Sequence, residues 1–202
     1  MLAYLDGQPV PRRLLDERLA AFRARDAACV LPKPATREAR QFARWVTQVI
    51  LTEQLCLAEL TRQGELTMPE PVVEGGASPL QAMQPAAVAG ARPLDVSAAI
   101  AVGSITAAAL GGSEAVRRVA ELVTSEVAIT AEQLAYAADV LGKEAPRDPA
   151  VPVERWHAEL LDSARLEAFT RWLNAARHER VQLVHGLEHP GDSNQPDNLH
   201  RH

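Results

Sequence analysis

Histidine is concentrated at the C-terminal end of the 202-residue chain, where four of its six histidines lie between positions 185 and 202. Neutral imidazole is the commonest protein ligand for Zn, Cu, Ni and Fe, and a nearby carboxylate can complete or orient such a site. If turns in the tail bring these groups together, the predicted ligands of a divalent transition metal are His189, His200, His202 and Asp192. A tail that is solvated or only covers the helices is the alternative.

A second histidine pattern lies where the tail begins. His185, Glu188 and His189 have the spacing of the His-x-x-Glu-His motif of metalloproteases, in which two histidines one helical turn apart bind zinc. Gly186 and Pro190 both oppose a helix, and the preceding Val-Gln-Leu-Val is typical of an extended segment. The sequence around these residues therefore argues against a helical zinc motif.

Two acids stand out for catalysis because they fall in an apolar helical segment. Glu53 lies between Val49 and Leu57 on the face that should be buried, and Glu59 follows on the same helix. A buried carboxylate is costly unless it has a partner such as arginine. We expect such a partner, and an active-site acid is the alternative.

The longest amphipathic segment precedes the tail and begins at Val153. Its apolar residues recur at three- and four-residue steps, which places them on one face of a helix. This helix leads into a short extended segment, 181–184. In the N-terminal half, the pattern predicts a short strand at 2–5, a turn at Asp6-Gly7, a helix from Pro11 to about Ala28 and a long helix from Thr36 to Gln63 that Gly64 ends. The middle of the long helix should be buried nearly all round.

The middle of the chain is more irregular. A Pro/Gly-rich excursion occupies 65–93, and a loop of this length is typically functional, disordered or a cover. Asp95 can cap a helix through Leu110, and Ser113 can cap the next one. An extended piece is expected at 127–129, before a helix from Thr130 to Gly142 that opens with a capping box.

Composition favours helices and excludes several classes of protein. Apolar residues make up 47% of the chain and aromatic residues only 4%, with a net charge of −5 and two cysteines. These values predict a mainly α protein, a bundle or clamp of about five to six helices with one or two very short strands, in a single domain spanning 1–202 with a His-rich tail at 185–202. Without a basic stripe or an apolar span, nucleic acid and membrane are not expected partners. We expect a cytoplasmic protein, and leave open whether it forms a homo-oligomer.

Three segments resemble the SurA, PrsA and parvulin-type prolyl isomerase family. The stretch 5–19, Leu-Asp-Gly-Gln-Pro-Val-Pro-Arg-Arg-Leu-Leu-Asp-Glu-Arg-Leu, is similar to its opening strand, turn and helix. Residues 127–134, Val-Ala-Ile-Thr-Ala-Glu-Gln-Leu, resemble the entry to a later helix, and 160–173 resembles its last helix. In full-length family members a catalytic domain separates the segments that match Gly142 and Val153, and here about ten residues fill that interval.

The resemblance implies the peptide-binding, chaperone-like helical module of that family without isomerase activity. Its ligand would be a peptide or partner protein held in an apolar groove. We expect the groove to be lined by the large aromatic residues Trp45, Trp156, Phe169 and Trp172. The alternative is a small metal-dependent enzyme of specialised metabolism that draws its ligands from the histidine tail.

Overall fold

The structure is a computed structural model that describes residues 1–24, 31–65, 104–144 and 153–191. These residues form, in chain order, β1 (Ala3–Leu5), β2 (Gln8–Val10), α1 (Arg13–Arg23), α2 (Arg37–Arg62), α3 (Ile105–Gly112), α4 (Glu114–Val123), α5 (Ala131–Glu144), α6 (Val153–Arg180) and β3 (Val181–Leu183). The predicted mainly α class, with six helices in the described residues and only short strands, is confirmed. The predicted excursion at 65–93 and the tail from Asp192 onward lie outside the described residues, apart from Glu65.

The two ends of the described chain meet in one antiparallel sheet with the strand order β2-β1-β3. Asp6 and Gly7 join β1 to β2 with φ angles of 50° and 77°, and positive φ at both central residues is typical of a type I′ hairpin turn. The register pairs Tyr4 with Pro9 on one side and with Gln182 on the other. The sequence predicted β1 and β3 but not β2, because Pro9 weakened its strand pattern; proline is tolerated there since β2 is an edge strand.

Helix α2 is the central helix of the N-terminal part of the chain and packs against α1, α3 and β1. Thr36 caps it, since its hydroxyl accepts the Ala39 N–H at 3.1 Å. At the other end, Gly64 adopts a φ of 75°, and the N–H of Glu65 donates to the Leu60 carbonyl at 2.9 Å, which is a Schellman ending. Every residue from Arg44 to Glu53 is buried, so the expected burial of its middle is confirmed.

The caps at Ser113 and Thr130 were expected from the sequence, whereas the Ser104 cap was not, and the predicted cap Asp95 lies outside the described residues. Ser104 caps α3 and Ser113 caps α4 through their hydroxyls. The predicted capping box of α5 is present: the Thr130 N–H donates to Gln133 Oε1 at 2.9 Å, and the Gln133 N–H donates to Thr130 Oγ1 at 3.2 Å. Residues 127–129 form no strand. The three-residue piece has no adjacent strand in the described part of the chain with which to pair.

The chain divides into two compact units. The first comprises Met1–Arg117 and Ala176–His202, and the second comprises Arg118–Ala175. The buried apolar residues of the first unit come from the sheet, α1, α2, α3, the start of α4 and the end of α6. The largest of those that are fully buried are Leu2, Leu15, Ile50, Leu51 and Leu55. Within the described residues, no helix has the length and apolar character needed to span a membrane.

Candidate functional site

The predicted groove residue Trp45 belongs to an aromatic cluster between α1 and α2. Its ring stacks on Phe42 with a centroid distance of 6.2 Å, and Phe42 lies 5.7 Å from Phe22 of α1 at a tilt of 59°. Trp45 is 9% exposed. The indole therefore contributes most of its area to helix packing.

The other predicted groove residues lie on α6. Phe169 and Trp172 stack with a centroid distance of 5.9 Å. Phe169 is buried, whereas Trp172 is half-buried. Trp156 is in the first turn of α6, and its side chain lies outside the described part of the structure. Of the groove residues with described side chains, Trp172 is the one with appreciable exposed surface.

The segment 184–191 consists of turns and bends and contains no helix, as Gly186 and Pro190 led us to expect. Gly186 has a φ of 92°, and Glu188 accepts its N–H with both carboxylate oxygens at 2.9 Å. His185 Nδ1 lies 3.0 Å from Glu188 Oε1. The helical spacing that a His-x-x-Glu-His zinc motif needs is absent here, because Glu188 folds back onto its own turn.

The predicted metal ligand His189 has one ring nitrogen already engaged. Its Nδ1 accepts the Gly191 N–H at 3.0 Å. A neutral imidazole that accepts this bond carries its proton on Nε2, so neither nitrogen offers a lone pair to a metal until the bond breaks. Asp192, His200 and His202 lie outside the described residues. Among the described ones, no three His, Cys, Asp or Glu side chains are grouped as metal ligands.

Buried polar groups of α2 hold this turn segment in place. Arg44 Nε donates to the Gly186 carbonyl at 3.1 Å, and Gln48 Nε2 donates to the Leu187 carbonyl at 2.8 Å. The amide oxygen of Gln48 in turn accepts from Arg177 Nη2. Burial lowers the pKa of the Arg177 guanidinium, which bonds here to a neutral amide. These contacts fasten the end of the described chain to the central helix.

A second polar cluster joins α2 to the end of α6 and to the hairpin turn. Glu59 Oε1 accepts from Arg62 at 2.6 Å and from Gln63 at 2.7 Å, and Glu59 Oε2 accepts from Arg180 Nη1 at 2.8 Å. Arg180 Nη2 also donates to Asp6 Oδ2 at 2.7 Å. Hydrogen bonding by Arg62, against the opposing effect of burial, lowers the pKa of Glu59 to about 2. The carboxylate is thus held ionised as a structural anchor.

The partner expected for Glu53 is an arginine of α1. Arg18 forms a two-pronged pair with it, with Nη1–Oε1 and Nη2–Oε2 distances of 3.2 and 2.7 Å. Glu53 is 5% exposed. With both of its oxygens bound by one guanidinium, this acid ties α1 to α2, and the predicted arginine partner is confirmed.

The hydrogen bonds between β1 and β3 determine which backbone groups face outward. The Asp6 N–H donates to the Arg180 carbonyl at 3.0 Å, and the Val184 N–H donates to the Leu2 carbonyl at 3.2 Å. Bonded and non-bonded pairs alternate along an antiparallel ladder. Gln182, midway between these two bonds, therefore directs its backbone groups toward β1.

Leu183 consequently stands in a non-bonded pair, opposite Ala3. Its N–H and C=O point away from β1, and within the described residues the sheet has no strand beyond β3. The same alternation on the far side of β1 makes Pro9 the β2 residue that faces outward. The outward residue of β2, Pro9, thus has no N–H to donate, whereas the outward Leu183 of β3 has one.

Large apolar side chains are exposed at this sheet. Met1 is 49% exposed, Tyr4 39% and Leu183 39%. Tyr4 projects from the face opposite to the buried Ala3 and Leu5, because successive side chains of a strand alternate between faces. Leu183 pairs with Ala3 and projects from the other face, so each face of the sheet carries one exposed apolar side chain.

The N-terminal part of the chain is similar to a known family. Residues 1–38 match a family of unknown function (DUF7158), a stretch that contains the hairpin, α1 and the first residues of α2. No curated protein and no solved structure matches the chain. The match therefore concerns the segment that supplies two of the three strands, and it carries no activity with it.

Sequence reasoning missed the sheet as a candidate site. Its parts come from opposite ends of the chain, and Tyr4 and Leu183 are unremarkable in their own segments. The sequence did contain one indication of the hairpin. Asp-Gly between two short extended segments is a strong indication that they pair as a hairpin.

Proposed function

We propose that this protein is a chaperone-like module that binds an extended peptide or an unfolded segment of a partner protein. The observation that carries the proposal is the exposure of Met1, Tyr4 and Leu183 at a sheet built from both chain ends. Apolar side chains held on a fixed scaffold bind unfolded segments by removing apolar surface from water.

The order of elements supports the same proposal. The resemblance to the SurA and parvulin-type family implies a particular order of elements. That order is a short strand, an Asp-Gly turn, a helix, a long buried helix, a capped helix and a last helix that returns to the first strand. Its isomerase domain has no counterpart in the interval between Gly142 and Val153. The proposed module therefore binds without catalysing isomerisation.

Fluorescence anisotropy tests the proposal with dye-labelled α-lactalbumin in two states. The reduced and carboxymethylated form supplies a permanently unfolded chain, and the native form is the folded control. We expect saturable binding of the unfolded form and none of the native form. Equal binding of both, or of neither, would contradict the proposal.

Two tyrosine variants separate specific from general apolar binding. Tyr4→Thr retains strand propensity and removes the exposed ring, so we expect binding to weaken about tenfold. Tyr136→Thr is the matched control, because Tyr136 is a 72% exposed tyrosine on α5, an element that contributes no residue to the sheet. An equal loss in both variants would remove the sheet from the binding surface.

A further inference from the structure

The open edge of β3 differs from the opposite edge of the same sheet. On β2 the outward residue is Pro9, which has no N–H and cannot accept a further strand at that position. On β3 the outward residues are Val181 and Leu183, and Leu183 is 39% exposed. One edge is thus protected against strand addition in a way that proteins commonly use, and the other has no such protection from the described parts of the chain.

We propose that the edge of β3 is the peptide-recognition site, and that the ligand adds to the sheet as a fourth strand. This inference rests on the proposed function and specifies how the peptide is held. The Leu183 N–H and C=O, with the outward Val181 C=O, present donor and acceptor groups at strand spacing. An extended backbone matches this pattern, whereas a helical ligand has already used its own backbone groups.

The side chains of β3 define the chemistry of the ligand. Leu183 shares its face of the sheet with the buried Ala3 and Leu5, so ligand side chains beside it lie at the margin of the core and should be apolar. Gln182 lies on the other face, beside Tyr4, where the intervening ligand residues should be polar or aromatic. The ligand class is an extended segment with apolar residues at alternate positions.

Two substitutions at one position separate the backbone donor from the side chain. Leu183→Pro removes the outward N–H and leaves the bonds between β3 and β1 intact, because Leu183 does not bond to β1. Leu183→Ala keeps the N–H and removes most of the side chain. The probe is a dye-labelled synthetic peptide in which valine and threonine alternate between terminal lysines, measured by anisotropy against the full 202-residue chain.

We expect L183P to bind this peptide about tenfold more weakly than L183A, the effect of losing one edge hydrogen bond. Comparable thermal midpoints for the two variants establish that both fold. The same peptide N-methylated at each valine and threonine retains every side chain but has no donor in that stretch, and we expect it not to bind the wild-type chain. This second arm needs no protein variant.

Three results would overturn the edge site. The first is that L183P and L183A bind the peptide with equal affinity. The second is that the wild-type chain binds the N-methylated and the unmethylated peptide with equal affinity. The third is that the molecular mass of L183A rises with protein concentration and that of L183P does not, which would make a second copy of the chain the occupant. If the wild-type chain still binds unfolded α-lactalbumin in these cases, the proposed function stands without the edge. If it binds neither the peptide nor unfolded α-lactalbumin, both proposals fail.

Discussion

Arg180 Nη1 lies 2.8 Å from Glu59 Oε2, so an ion pair joins the last residue of α6 to the central helix across 121 positions of sequence. The same guanidinium reaches Asp6 at the hairpin turn. Both side chains of the first pair are shielded from water, with exposures of 13% for Arg180 and 3% for Glu59. The sheet that carries the proposed site is held to α2 by this cluster.

The cluster should make stability depend on pH in the acid range. The pKa of Glu59 is lowered from 4.5 to about 2, and hydrogen bonding by Arg180 lowers that of Asp6. A folded-state pKa below the unfolded one stabilises the fold above the unfolded value, and the contribution is lost as pH falls toward the folded one. We expect a loss on the order of 3 kcal/mol from Glu59 between about pH 4.5 and 2, measured by urea unfolding.

Glu59→Gln should abolish most of that dependence. It leaves Arg180 and Arg62 without their shared carboxylate and should cost about 2–4 kcal/mol at pH 7. Glu121→Gln is the matched control, because Glu121 pairs with Arg118 at 3.4 Å on an exposed surface. Unchanged acid sensitivity in the Glu59 variant would show that other groups govern it.

The buried pair of Arg18 and Glu53 gives a second prediction about stability. Arg18→Met strands a carboxylate that is 6% exposed at its side chain and should destabilise the protein by about 3 kcal/mol. Arg12→Met, which removes an exposed pair with Asp16, should cost less than about 1 kcal/mol. Adding Glu53→Leu to Arg18→Met should recover part of the loss, since no charge is then left buried. Equal effects of the two arginine variants in chemical unfolding would be inconsistent with a structural role for Glu53.

Much of this fold follows from local sequence signals. Thr36 and Gly64 mark the two ends of α2, and the Thr130–Gln133 capping box marks the start of α5; each acts within a few residues. The burial of α2 was predictable because apolar residues lie on more than one side of it. The sequence also predicted that the buried carboxylate of Glu53 has an arginine partner, although it did not say which arginine.

The partners themselves were not predictable, because they are distant in sequence. Nothing local indicates that Glu53 pairs with Arg18 rather than with another arginine, or that Arg180 bridges Glu59 and Asp6. The open edge of β3 follows from the pairing register, which a three-residue strand does not reveal. The aromatic residues chosen for a groove were identified by size, and size also favours burial, as at Trp45 and Phe169.

The predicted metal site can be tested on the intact chain. Because His189 Nδ1 accepts the Gly191 N–H, metal binding must break that bond. If the tail is a ligand source, protein purified without chelator should carry about one metal per chain by elemental analysis, and a variant lacking residues 191–202 should carry none. Equal metal content in both, or none in either, would be evidence against the tail as the source of ligands.

Prolyl isomerisation should not be accelerated by this chain. The interval between Gly142 and Val153 is too short to contain a catalytic domain. A protease-coupled assay with a proline-containing tetrapeptide should give the uncatalysed rate, with a parvulin as positive control. A rate that increases with the concentration of this protein would contradict the prediction.

Amide hydrogen exchange tests the central claim most directly, because it locates the bound peptide without any substitution. The full chain is exchanged with and without saturating reduced and carboxymethylated α-lactalbumin, and peptic fragments are compared. We predict slower exchange in fragments that contain Val181–Leu183 and Tyr4, and unchanged exchange around Tyr136. The claim that unfolded segments are held at the sheet would be contradicted if α-lactalbumin binds, or other fragments are protected, while exchange at the sheet is unchanged.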